Sequence, residues 1–427
     1  MTRPGYKMTE IGEIPSDWEV SKLGDLCELL RNGLTSNQES DGIPVTRIET
    51  ISKGEFGDKF GHVNGLPDDL VSAYRLKKGD VLMSHINSIE NIGKSAIYRG
   101  KPELILHGMN LLLLRFDAKK GNPFFYIQCL KWNPLLEKIR TLAKKAVNQA
   151  SINQTELSRV LISVPPLMEQ QKIAEILSTA DDAIQRVDEQ ITLSEHLKKG
   201  LMQTLLTKGI GHTKFKMTEI GEIPEEWVVE KIAKLSKIVT GGTPYTSEPK
   251  YWDGEIPWVA SGDVHQQFIK RAGKFITKEG YSNSNCKLLP IGTVLVALNG
   301  QGKTRGLSAI LEFEATCNQS LAGIISNKNV LNPLYLLYHL LSRYAYIRNI
   351  SGIGRNGLNL DHIRNLVISC PPIVEQQKIA EILLTVDKKL EHLKGRRDHL
   401  EKLKKVLTND LLTGKVRVKI EPSGGEN

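Results

Sequence analysis

E-Q-Q-K-I-A-E-I-L occupies residues 169–177, and the same nine letters return at residues 375–383. Each copy follows a proline pair, Pro165-Pro166 and Pro371-Pro372, and each opens a long stretch of helical periodicity. Nine consecutive identities do not arise by chance within one chain, so the protein is an internal duplication. In the first copy Ile173, Leu177, Ala180, Ile184, Val187 and Ile191 step 4-3-4-3-4, the spacing of a heptad seam. Leu193, Leu197, Leu201 and Leu205 then step by four, which predicts a stutter that shifts the seam. In the second copy Ile379, Leu383, Val386, Leu390 and Leu393 keep the heptad. Leu400, Leu407 and Leu411 extend it, with Arg397 interrupting. Two helices of about 40 residues span roughly 60 Å each. Stripes that long must be buried, and each helix is the natural mate of the other. The chain has to return between them to begin its second copy, so the pair is expected to run antiparallel.

The duplication reaches beyond the helices. K-M-T-E-I-G-E-I-P-S-D-W-E-V-S-K-L-G-D-L at residues 7–26 and K-M-T-E-I-G-E-I-P-E-E-W-V-V-E-K-I-A-K-L at residues 216–235 agree at thirteen of twenty positions. The offset of 209 between them makes the unit half the chain, a domain rather than a solenoid repeat. Trp18 and Trp227 within it read as core anchors. Between the repeated ends only a faint skeleton survives. Gly33-Leu34-Thr35 answers Gly242-Thr243-Pro244, Ile43-Pro44-Val45 answers Ile256-Pro257-Trp258, and Val81-Leu82-Met83-Ser84 answers Val294-Leu295-Val296-Ala297. These are short strand-like runs between turns, with helical stretches at 123–140 and 333–348 expected to brace a sheet. The expected fold is α/β (α+β), with two globular domains at 1–164 and 210–370. Helices at 165–209 and 371–414 pack as an antiparallel coiled coil under pseudo-two-fold duplication, and 415–427 is a tail.

Bulk properties narrow the partners. The 427 residues carry a net charge of +9, which suits a polyanion such as nucleic acid or an anionic membrane surface. Eight lysines and arginines against four acids fill residues 387–405, read as a solvated helix face, with DNA backbone or an acidic surface as the other readings. The five cysteines are scattered, with no C-x-x-C pair, which argues against a zinc ribbon or a disulfide framework and fits a reducing compartment. No apolar run reaches the ~18 residues of a membrane span. A cytoplasmic, soluble protein is expected.

Residues 297–304, A-L-N-G-Q-G-K-T, fit a loose phosphate-loop pattern after an apolar strand. The next residues, Arg305-Gly306-Leu307-Ser308, make a poor helix start, and the first copy keeps only Gly93-Lys94-Ser95 at the corresponding place. Glycine amides and Lys303 suit a DNA phosphate equally well. No zinc-protease, serine-hydrolase or carboxylate-rich metal pattern appears, so neither catalytic nor metal-ligating residues are assigned. Polar side chains near the glycine loops are the candidates for DNA contact: Arg31, Arg47, Ser84, Lys94, Lys144, Lys145, Asn148 and Gln149 in the first copy. In the second they are Thr243, Tyr245, Ser261, Lys303, Arg305, Arg355 and Asn356. Arg, Asn and Gln can grip base edges in bidentate fashion, whereas Lys and Ser mostly hold phosphates.

T-E-I-G-E-I-P-x-x-W, the Gly-Gly-Thr-Pro loop at 241–244, I-P-W-V at 256–259 and the doubled P-P-x-x-E-Q-x-K-I-A-E-I-L closely resemble the specificity subunit of type I restriction-modification systems. The resemblance covers essentially the whole chain. It implies two target-recognition domains separated by an antiparallel coiled coil, and a subunit with no catalysis of its own. It further implies double-stranded DNA as ligand, two adenine methyltransferase subunits that use S-adenosylmethionine, and motor-nuclease subunits that use ATP and Mg, with none of these cofactors on this chain. The duplication points the same way: two copies with unlike loops would read unlike half-sites across a fixed spacer. A nucleotide hydrolase using Gly302-Lys303-Thr304, and a non-DNA scaffold spaced by its coiled coil, are the competing readings.

Overall fold

The structure, a computed structural model, describes residues 2–37, 39–146, 149–300, 302–350 and 357–419, with the backbone alone at 145 and 146. It divides into two compact units. The first holds residues 1–188 with 396–427, and the second holds 189–395. The boundaries fall inside the two long helices, Leu167–Leu205 and Ile373–Leu412. Each unit therefore contains one copy of the repeat, the start of that copy's helix and the end of the other copy's helix.

In the first unit a four-stranded antiparallel sheet has the order Cys27–Asn32, Leu111–Phe116, Val81–Ser84, Ser95–Ile97. The second unit repeats this order with Ser236–Thr240, Leu321–Ser326, Val294–Ala297 and Ser308–Leu311, then adds Phe268–Ile269 as a parallel fifth strand. The central strands Val81–Ser84 and Val294–Ala297 are buried along their whole length. They lie between layers, so a continuous apolar run replaces alternation. Each copy opens with a hairpin, Tyr6–Thr9 with Gly12–Pro15 and Phe215–Thr218 with Gly221–Pro224, and its third strand pairs with the strand just before its long helix: Glu19–Lys22 with Leu161–Val164, and Val228–Lys231 with Val367–Cys370. The two stretches that the copies share are thus neighbours in each fold.

The bracing helices are broken where the sequence suggested single ones. Pro123–Lys131 and Asn133–Thr141 are separated at Trp132, and Pro333–Ser342 and Tyr344–Asn349 at Arg343. In the first copy Pro134 accounts for the break, since its ring would strike the carbonyl four residues back and cannot donate to it. Asn122 and Asn332 cap the leading helices, their carbonyls accepting from Phe124 N and Leu334 N at 2.8 and 2.9 Å.

The E-Q-Q-K phrase has a structural reason at each of its first two letters. Gln170 accepts from Asn122 N and donates to the Pro165 carbonyl, both at 2.9 Å. Gln376 does the same with Asn332 N and the Pro371 carbonyl at 2.9 Å. Each glutamine so ties the proline turn to a helix cap. Glu169, 1% exposed, accepts from the Trp18 indole at 2.9 Å and from Arg417 at 2.8 Å, and Arg417 also grips Asp17. Glu375 accepts from the Trp227 indole at 3.0 Å and from Ile210 N at 2.9 Å, with His212 Nε2 also 2.9 Å away. In either unit, then, the carboxylate at the head of one helix holds the segment that leaves the end of the other. That exit runs through Gly209 and Gly414, both at φ +67° and packed so closely on Trp227 and on Pro15 that a Cβ would collide.

Within each unit the half-helices run antiparallel. In the first, Asp181 meets Lys404 and Asp188 meets Arg397, while Leu411 and Leu412 join Trp18, Ile173 and Leu177 in one core. In the second, Glu195 meets Lys394 at 3.1 Å and Lys198 meets Asp387 at 2.6 Å, while Leu205 and Leu206 join Trp227, Ile379 and Leu383. The basic run at 387–405 is therefore partly turned toward acids of the first helix, rather than forming only a solvated face. The expected stutter is absent. Leu193 and Leu197 are 67% and 51% exposed, whereas Ser194 is 3% exposed and Lys198 is half-buried. The heptad continues unbroken through Val187, Ile191, Ser194, Lys198, Leu201 and Leu205. A lysine can occupy such a seam because its aliphatic stem packs while its ammonium reaches a carboxylate.

Candidate nucleic-acid interface

In the second unit, Ser236–Thr240 and Val294–Ala297 both run antiparallel to Leu321–Ser326, so their C-terminal ends lie at one edge of the sheet. The loops that leave them carry the candidates. Gly241 and Gly242 follow the first strand with no room for a side chain: a Cβ would lie 2.2 Å from the Asn318 carbonyl and 2.5 Å from Asn285 C. Gly242 N donates to the Cys317 carbonyl at 2.8 Å, and its own carbonyl receives the Trp258 indole at 3.0 Å and the Cys286 thiol at 3.2 Å. Burial holds both thiols protonated, Cys317 being pushed up to about 12. They act as packing groups. On this platform Thr243 bonds Gln319, and Tyr245 projects 72% exposed.

The loop after Val294–Ala297 carries Lys303, which is exposed, and Arg305, which is half-buried. Its backbone is pinned by Tyr344, whose hydroxyl donates to the Lys303 carbonyl at 2.7 Å, and by a 3.0 Å contact between His265 Nε2 and Thr304 Oγ1. His265 ends the short helix that Ser261 begins. Thr243, Tyr245, Ser261, Lys303 and Arg305 thus stand on loops buttressed by the same sheet. The phosphate-loop resemblance does not survive in three dimensions. The stretch at 297–304 joins two antiparallel strands, Val294–Ala297 and Ser308–Leu311, and no helix N-terminus stands behind its described glycines. Arg355 and Asn356 lie outside the described residues.

The first unit arranges its set at the corresponding edge. Ser84 ends its strand 2% exposed, accepting from Asn87 at 3.2 Å, and Lys94 reaches the Ser52 carbonyl at 3.3 Å. With Asn91 and Ile51 they line a cavity of about 130 Å³. Arg47, exposed, stands before the short helix Ile48–Ile51 and pairs with Glu49 at 3.5 Å. Lys144 and Gln149 belong to a hairpin, Lys144–Ala146 with Gln149–Ser151, whose second strand pairs with Ile86–Asn87 and so joins the same edge. Lys144 is exposed and 3.7 Å from Glu156. The Lys145 side chain and Asn148 lie outside the described residues. Arg31 is engaged otherwise: its guanidinium stacks 3.7 Å over the Tyr74 ring and donates to the Ala73 carbonyl at 3.4 Å. Two histidines beneath this edge went unread in the sequence. Burial pushes His107 down to about 4 and also lowers His85, and His107 Nε2 sits 3.0 Å from the Leu111 carbonyl. Nothing in the local sequence distinguished them from surface histidines.

Chemically, each edge offers ammonium and guanidinium groups beside hydroxyls and side-chain amides. That is the complement of a phosphodiester backbone with base edges beyond it.

Residues 15–194 and 224–402 match the family described as type I restriction modification DNA specificity domain. The putative type I restriction enzyme MjaX specificity subunit of Methanocaldococcus jannaschii is 39% identical, across 97% of both chains. The MjaVIII specificity subunit of the same organism is 27% identical across 95% of this chain and 94% of that one. In fold, the chain aligns with the crystal structure of a type I restriction-modification S subunit from M. genitalium. The alignment has a TM-score of 0.64 and covers 96% of this chain and 99% of that one at 16% identity.

Proposed function

The chain belongs to the type I restriction-modification DNA specificity family, and from that premise we propose how its two halves divide recognition. It is the DNA-recognition subunit of such a system. Each unit reads one half-site with the loops at its sheet edge, and the two half-sites differ. One observation carries this reading: the four-stranded frames agree in order while the loops mounted on them do not. Gly33-Leu34-Thr35 stands where the second copy has Gly242-Thr243-Pro244, and the hairpin Lys144–Ala146 with Gln149–Ser151 lies at an edge whose counterpart differs in sequence. A duplex target is then split and non-palindromic, and the spacer between its halves is set by helices of 39 and 40 residues. Arg47, Lys94, Lys144, Lys303 and Arg305 hold phosphates or base edges. The chain works without a cofactor of its own. S-adenosylmethionine belongs to two adenine methyltransferase subunits, and ATP with Mg to the motor-nuclease subunits.

Base-resolution mapping of N6-methyladenine in a host expressing this chain with its companion methyltransferase tests the proposal, against a host with the methyltransferase alone. A split motif confined to the first host is the expected result. Identical methylation in both hosts, with the complex shown to assemble, overturns it.

A further inference from the structure

The loop after the central strand keeps its backbone bonds in both units and changes its side chains. Ser84 N donates to the Lys94 carbonyl at 2.8 Å and Gly93 N to the Ser84 carbonyl at 2.9 Å. In the second unit Ala297 N donates to the Leu307 carbonyl at 2.9 Å and Gly306 N to the Ala297 carbonyl at 2.8 Å. The turn inside repeats as well, with Lys94 N on the Asn91 carbonyl and Leu307 N on the Thr304 carbonyl. Ser84, Asn87, Asn91 and Lys94 therefore stand where the second copy has Ala297, Gly300, Thr304 and Leu307. One frame carries a polar loop in the first unit and a smaller, less polar one in the second.

The segment opposite follows the same correspondence. Ile43-Pro44-Val45 answers Ile256-Pro257-Trp258, so Ile48 and Ser52 answer Ser261 and His265. In the second unit the contact of His265 Nε2 with Thr304 Oγ1, at 3.0 Å, crosses the gap between segment and loop. In the first unit the gap holds the cavity of about 130 Å³, with Ile48 and Ile51 from the segment and Ser84, Asn87 and Asn91 from the loop.

The amides around this cavity are set in advance. Asn87 accepts from Ser88 N at 2.8 Å and donates to Ser84 Oγ at 3.2 Å, which fixes it as a support. Asn91, half-buried, donates one amide hydrogen to Ser88 Oγ at 2.9 Å. Its carbonyl oxygen and second amide hydrogen have no side-chain partner among the described residues. An acceptor beside a donor complements the N6 amino group and N7 of adenine, and an isoleucine surface complements the C5 methyl of thymine. Both belong to one A·T pair seen from the major groove, whereas a G·C pair has no methyl group to offer.

We propose that this cavity reads an A·T pair in the half-site of the first unit. Asn91 bonds adenine N6 and N7, and the thymine methyl enters beside Ile48 and Ile51. Ser84, Asn87 and Ser88 hold Asn91 in place, so little side-chain freedom is lost on binding. The second unit, with His265 and Thr304 across the equivalent gap, reads its half-site by other groups. This inference rests on the recognition role proposed above.

The test uses the full chain with its companion methyltransferase, beginning from the methylation motif of the unaltered complex. Duplexes carrying 7-deazaadenine for adenine, or deoxyuridine for thymine, are scanned across the A·T pairs of that motif. At one pair each change should weaken binding by about fourfold or more. Asn91→Ala should remove the 7-deazaadenine penalty there, and Ile48→Ala the deoxyuridine penalty. Methylation mapping of Asn91→Ala should show the same position turned degenerate, with preference down about 5- to 100-fold and the other half-site and spacer intact. The pair proposal is overturned if no pair responds to both analogues, if Asn91→Ala leaves the motif unchanged, or if it relaxes a G·C position instead. Recognition stands in all three cases. Absence of any split motif with the unaltered chain would instead remove the recognition role itself.

Discussion

Glu169 and Glu375 each hold three things together: an indole, a helix start and the returning end of the other helix. Glu169 is almost fully buried, so its truncation strands the Trp18 N–H and leaves the Arg417 guanidinium to Asp17 alone. Glu169→Ala is expected to cost on the order of 2–3 kcal/mol in urea denaturation, with Glu169→Gln milder because the indole keeps an acceptor. Equal stability of wild type and Glu169→Ala would contradict the clasp. Trp18 and Trp227 were legible as core anchors because each stands in a stretch that the two copies share. Their carboxylate partners, 151 and 148 residues away, were not. Buried histidines set an acid limit at the same scale. His339 is pushed down to about 3 and His107 to about 4 by burial, from the ordinary value near 6.5. The unfolded chain takes up these protons near pH 6.5 and the native chain only near 3 to 4. Stability therefore falls as pH drops through that window and levels off below it. His339→Gln should flatten the decline in thermal midpoint between about pH 6.5 and 4, and an unchanged slope would deny the histidine that role.

At the level of elements, the helix pair is specified by its polar seam positions as much as by its leucines. Lys198 meets Asp387 and Lys404 meets Asp181, and the two pairs are equivalent at the 206-residue offset of the repeat. Each aspartate is also tied to its domain, Asp181 by Gln128 at 2.9 Å and Asp387 by the Tyr338 hydroxyl at 2.7 Å. A half-buried charge that finds its partner in one register alone penalises every other register. Asp181→Lys should destabilise the first unit, and Asp181→Lys with Lys404→Asp should recover part of the loss. A double-mutant cycle is expected to yield a coupling of about 1–3 kcal/mol. A coupling near zero would reduce the pair to a surface contact. Leu197→Lys, at a side chain 51% exposed, should change stability by less than about 0.5 kcal/mol. The seam was misread at Leu193 and Leu197 because counting leucines treats every leucine as buried, and the pattern carries no record of which lysine has a carboxylate opposite.

For the molecule as a whole, the exchange of helix ends matters most. Neither copy of the repeat closes its own core: Leu411 and Leu412 complete the first, and Leu205 and Leu206 the second. An isolated copy with its own helix would expose the face that its sister covers. If the helices set the spacer, deleting one heptad from each, in the exposed-rich stretches at 189–195 and 395–401, should shorten the methylated motif's spacer while both half-sites persist. Base-resolution methylation mapping reads this directly, and an unaltered spacer would separate helix length from target geometry.

The duplication, the two long helices, the strands at 81–84 and 294–297 and the family itself were determined by the sequence alone. Each rests on a local or periodic signal: identity between copies, heptad spacing, or a short apolar run between turns. The heptads also imply burial of both stripes, and so a partnered pair. What only the tertiary structure decided is who meets whom. That Glu169 receives Arg417, that Lys198 rather than Leu197 faces the seam, that 297–304 turns back as a hairpin, and that Ser84, Lys94 and the 144–151 hairpin share an edge depend on contacts between distant residues. Hydrogen-bond and charge pairing at long range leaves no periodic trace. The chain's pattern states what must be buried, and the packed fold chooses the partner that satisfies it.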